Sequence, residues 1–136
     1  MSNVPRNLDW VTARSNCSLS IVFEQLRTTV QEDIALRNAM REPYPQEYGG
    51  GFKYKFDFIG ASKKFTALVH GHSLHKTVSF SLADNWIEIQ PDNSPMFKAT
   101  VGLNDEGECV LDVDGEQRYP WQVRKMALED LFFGVE

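Results

Sequence analysis

The sequence predicts an α+β fold: a long N-terminal amphipathic helix, a six- to seven-stranded, mainly antiparallel meander sheet and a short C-terminal helix. Three observations carry this. Apolar residues recur every three or four positions between Leu19 and Ile34, the period of a helix with one buried face. From Phe52 to Val113 the period drops to two, broken by short turn-forming stretches. Helical spacing then returns over the last 18 residues. Strands joined by connections this short must run antiparallel, because parallel neighbours need long crossovers.

Residues 1–17 read as an extended arm or edge strand, since Trp10, Val11 and Thr12 lean towards β structure. Ser18 is placed to cap a helix over 18–41, whose stripe is Leu19, Val22, Phe23, Leu26, Val30 and Ile34. Pro43 and Pro45 lie past its end, and residues before prolines avoid the helical region. A connector with three consecutive glycines, Gly49 to Gly51, leads to the sheet over 52–121.

In that sheet Phe52, Tyr54, Phe56 and Phe58 alternate with Lys53, Lys55 and Asp57, and further inward sets follow. They are Phe65, Ala67 and Val69; Val78, Phe80 and Leu82; Ile87 and Ile89; Phe97, Ala99, Val101 and Leu103; and Cys109, Leu111 and Val113. Asp114-Gly115 is a two-residue hairpin signal. Val123, Met126, Ala127, Leu128, Leu131 and Phe132 mark a closing helix over 122–133. One domain over 1–136 accommodates all of this, with both helices covering the apolar face of the sheet.

The chain carries 14 basic and 19 acidic residues, a net charge of −5. Residues 1–41 and 42–85 each hold five basic and four acidic groups, so the deficit lies in 86–136, with four against eleven. A nucleic-acid partner therefore has no global electrostatic support. No apolar run approaches the roughly 20 residues that span a bilayer, and the N-terminus lacks a signal-peptide core. Two cysteines are too few for a disulfide framework, so reduced thiols and a cytoplasmic location are expected. Cys109, in phase with Leu111, is expected to be buried and inert. Cys17 is read as a packed structural residue.

Three histidines, His70, His72 and His75, fall within six residues. With Ser73-Leu74 as the turn, His72 faces His75 at about 4.5–5.5 Å between Cβ atoms, and His70 is the next neighbour on that face. Three imidazoles so placed are a candidate zinc site with an open water position. A turn at Ala61-Ser62 would pair Phe58 with Phe65 and Lys53 with His70, which sets a repelling cation beside the cluster. The same register puts Asp57 opposite Thr66, too far along to serve as a fourth ligand.

Asp105, Glu106, Glu108, Asp112, Asp114 and Glu116 form a run without a basic residue. It does not fit a calcium loop, and it reads as a solvated edge or a docking surface for a basic protein. No nucleophile elbow, zinc-protease, phosphate-loop or dinucleotide motif occurs. The expected function is therefore a small soluble non-catalytic binding or accessory protein. It would act through an aromatic-lined cavity between helix and sheet, with Tyr54 and Phe56 on its wall and a small apolar ligand inside, or through the acidic surface. The alternative is a small hydrolase or lyase in that cavity with metal at the histidines.

Overall fold

A computed structural model describes residues 4–71 and 74–134. Three helices, α1 (Trp10–Asn16), α2 (Leu19–Ala39) and α3 (Pro120–Phe133), accompany seven strands. The strands are β1 (Tyr54–Ala61), β2 (Lys64–Gly71), β3 (Leu74–Leu82), β4 (Ile87–Gln90), β5 (Phe97–Leu103), β6 (Cys109–Val113) and β7 (Glu116–Arg118). They form one antiparallel sheet in chain order, the α+β meander that the periodicities predict.

The arm or edge strand expected before residue 18 is instead largely the helix α1. Asp9 decides it: its carboxylate accepts from the Thr12 backbone N–H at 3.1 Å and the Thr12 hydroxyl at 2.8 Å. A capped first turn outweighs the β preference of Trp10 and Val11, which have no sheet to join. Ser18 caps α2 as predicted, accepting from the Ile21 N–H.

The inward face of α2 buries Val22, Phe23, Leu26, Val30 and Ile34. Phe23 meets Phe65 at 5.1 Å between ring centroids, and Phe65 stacks on Phe80 at 4.7 Å and 12°. Phe56 lies against Phe132 of α3 at 5.2 Å. Val123, Ala127, Leu128 and Leu131 complete the cover. The space between α2 and the sheet is thus filled with aromatic rings.

Polar side chains fasten α2 to the outer edge of β1. Asn38 Nδ2 donates to Phe56 O at 2.8 Å, and Phe56 N–H donates back to Asn38 Oδ1 at 3.0 Å. Arg27 Nη2 donates to Ala61 O at 2.6 Å, and Arg41, just past the helix, donates to Tyr54 O at 3.1 Å.

Two registers differ from those expected. Ala61 pairs with Lys64, so Phe58 faces Ala67 rather than Phe65, and Lys55 rather than Lys53 faces His70. Gly71 pairs with Leu74, so His75 faces His70. In both hairpins the turn sits one residue away from the dipeptide chosen from sequence. That moves every partner by two and leaves the inward and outward faces unchanged. At the β6–β7 turn the reading holds: Asp114 and Gly115 take φ values of 55° and 84°, a left-handed pair suited to a tight hairpin.

The cysteines are not reduced thiols. Cys17, at the α1–α2 junction, is joined to Cys109 at the start of β6 by a disulfide across 92 residues, with Cα atoms 5.4 Å apart. The expectation failed because the pairing is made by the packing of α1 against β5, the neighbour of β6, not by local spacing. No helix among the described residues is long and apolar enough to cross a membrane.

Candidate functional site

The residues singled out from sequence scatter when placed on this fold. Phe56 is 1% exposed and belongs to the core, so it lines no open cavity. Tyr54 is half-buried, and its hydroxyl accepts from Arg37 Nη2 at 3.0 Å. His70 and His75 are cross-strand partners on the exposed side, and His72 lies outside the described residues.

Asp57, set aside as a ligand when placed opposite Thr66, faces Leu68 and reaches diagonally to His70. His70 Nε2 lies 2.6 Å from Asp57 Oδ2, and Lys55 Nζ lies 3.5 Å from the other oxygen. The hydrogen bond from His70 holds the Asp57 carboxyl below its usual pKa, with Lys55 assisting and desolvation opposing. Among the described residues no three His, Cys, Asp or Glu side chains are grouped to hold a metal ion.

The acidic run divides in two. Asp105, Glu106 and Glu108 belong to the turn before β6 or its edge, while Asp112, Asp114 and Glu116 surround the turn after it. At roughly 3.3 Å per residue, Glu108 and Asp112 are about 13 Å apart along the strand, beyond the Debye length of about 8 Å at physiological salt. Several of these carboxylates are occupied locally. Glu108 accepts from the Tyr119 hydroxyl at 3.0 Å, and that bond raises the Tyr119 pKa. Asp112 accepts from the Gly115 N–H at 3.0 Å, and Glu116 pairs with Arg118 at 2.8 Å.

A site the sequence reading missed lies between α2 and α3. It is an open groove of about 350 Å³ with Leu36, Met40, Trp121 and Phe133 on its walls. These four are 59%, 62%, 55% and 60% exposed, a concentration of large apolar side chains that water does not favour. Below them Arg37, only 4% exposed, donates from Nε to Phe132 O at 2.7 Å, with its guanidinium 4.9 Å from the Phe56 ring centroid. Arg124 and Asp33 bridge the two helices at 2.7 Å, and Lys125 pairs with Glu129 at 3.1 Å. The groove is an apolar trough with a locked polar frame. Its sequence signal was Leu36, Met40, Trp121 and Phe133 lying off the inward stripes of their helices.

Comparison with family models, characterised proteins and solved structures found no match to this chain.

Proposed function

We propose that this chain is a non-catalytic binding protein whose α2–α3 groove receives an apolar segment of a partner protein. The observation that carries the reading is the convergence of Leu36, Met40, Trp121 and Phe133 on one groove while exposed. Two neighbouring helices with an apolar trough between them suit an amphipathic helix laid along it. Charged side chains of the lining are paired at the rim, Arg124 with Asp33 and Lys125 with Glu129.

This keeps the class of function expected from sequence and moves the site from a cavity between helix and sheet, or the acidic surface, to the groove between the two helices. An enzymatic reading has less support. The groups whose proton affinity is displaced, Asp9, Asp57 and Tyr119, lie outside the groove. A cytoplasmic location would expose the Cys17–Cys109 bond to reduction, so the bond favours an oxidising compartment.

The reading is tested with helical peptides selected from a displayed library against the folded protein. Selected peptides should carry apolar residues at three- and four-residue spacing. Trp121→Ala should weaken them by about 2 kcal/mol, the scale of an aromatic hot spot, and Leu36→Asp should abolish binding without unfolding the chain. Peptides that bind both variants as tightly as the parent would refute the groove. So would a stable dimer, dissociated by Leu36→Asp, that occupies this face with a second copy.

A further inference from the structure

A second concavity, remote in character from the apolar groove, lies where the connector meets the start of β1. This cleft of about 680 Å³ is lined by Arg41, Lys53, Lys55 and His70 together with Tyr44, Phe52 and Tyr54, and among the described residues no carboxylate lines it. From sequence, the basic residues and the aromatic run of β1 belong to opposite faces. The structure unites them because the connector brings Arg41 back over Phe52, with the guanidinium 3.9 Å from the ring centroid.

The charge of this cleft is unbalanced. Asp57, just outside it, serves Lys55 and His70. Arg41 and Lys53 have no carboxylate partner among the described residues, on a chain whose net charge is −5. Arg41 is also oriented in advance: Nε donates to Asn38 O at 2.9 Å and Nη1 to Tyr54 O at 3.1 Å. A guanidinium held by its own backbone bonds loses little freedom when it takes an anion.

Two aromatic rings stand beside these cations, Tyr44 at 43% and Phe52 at 46% exposure. The Tyr44 backbone N–H donates to Gly51 O at 2.7 Å, which closes the connector on itself. Gly71 allows the close approach of the Lys53–Tyr54 backbone beside the cleft, since a Cβ there would lie 2.5 Å from Lys53 O. A polymer such as RNA would run from this local patch onto the rest of an acidic chain, whereas a small ligand feels only the patch.

We propose that this cleft binds a small phosphorylated ring compound of the nucleoside-monophosphate class, with its phosphate between Arg41 and Lys53 and its ring against Tyr44. Aromatic rings and arginine planes are the usual platforms for a base, and charge-assisted bonds hold the phosphate. The assignment does not depend on the groove between the helices.

The test is calorimetric titration at low salt with adenosine 5′-monophosphate, adenosine, inorganic phosphate and a short single-stranded oligonucleotide. The monophosphate should saturate, and adenosine and phosphate should each bind about tenfold more weakly or worse, as expected when a charge-assisted bond or the ring contact is missing. Lys53→Glu, at an exposed position, should lower monophosphate affinity at least about tenfold with an unchanged melting temperature. Tyr44→Ala should erase the advantage of the monophosphate over phosphate. The proposal is overturned by no saturation up to about 5 mM, or by equal binding to the Lys53→Glu variant. Phosphate binding as tightly as the monophosphate, or an oligonucleotide binding more tightly per phosphate, would overturn it equally.

Discussion

Removing the Cys17–Cys109 bond should be among the most damaging changes this chain can suffer. The bond closes a loop of 92 residues that contains α2 and the sheet through β5. Loop-closure entropy for that length corresponds to about 4.6 kcal/mol at 25 °C. With an unfolding entropy of about 2.1 cal/mol/K per residue, this becomes a melting-temperature loss of roughly 16 °C for a chain of this length. Urea unfolding would be followed with and without reductant, alongside a Cys17→Ala/Cys109→Ala variant. Reductant should lower the stability of the parent by several kcal/mol and raise its m-value, because the released chain exposes more surface when unfolded. The double variant should match the reduced parent and ignore reductant. Alkylation of the unfolded, unreduced parent should modify neither cysteine. If both cysteines react without reductant, or if reduction of an intact bond changes stability by less than about 1 kcal/mol, the reasoning fails.

Two further outcomes follow from the packing and electrostatics. Phe80→Ala should cost about 3–5 kcal/mol, because Phe80 is fully buried and stacked on Phe65; a loss below about 1 kcal/mol in chemical denaturation would remove β3 from the core. His70→Ala should raise the Asp57 pKa, since the hydrogen bond from His70 is the main cause of its depression. A depressed carboxylate stabilises the fold above its unfolded pKa, about 3.9, and that contribution disappears as pH falls through the lower folded value. An NMR titration of Asp57 that does not move in the variant would contradict the bond.

The elements legible in the sequence were those whose signals are local. The α2 stripe from Leu19 to Ile34 could be buried only on one side, and Asp114-Gly115 could form only a tight turn. The hairpin at Ser62 was misplaced by one residue because neighbouring dipeptides there turn equally well. A one-step shift preserves the inward face, so the hydrophobic pattern could not arbitrate. The helix α1 was hidden by Trp10 and Val11, whose preference yields to the Asp9 cap. The cleft at Arg41 and the groove at Trp121 were invisible for a different reason. Each gathers residues distant in sequence, and only the return of the connector and the docking of α3 on α2 bring them together.

The hydrogen bonds along the outer edge of β1 bear on how this protein can associate with copies of itself. An eight-residue edge strand normally offers free N–H and C=O groups to any extended chain that reaches it. Here the Asn38 amide presents to Phe56 the same donor and acceptor that a neighbouring peptide unit would, while Arg27 and Arg41 take further carbonyls. A helix thus stands in for a missing strand. The opposite edge, β7, is three residues long and carries the Glu116–Arg118 ion pair. Sheet extension into dimers or fibrils would have to break side-chain bonds at one edge and build on a stub at the other, which leaves self-association to side-chain surfaces rather than to the backbone.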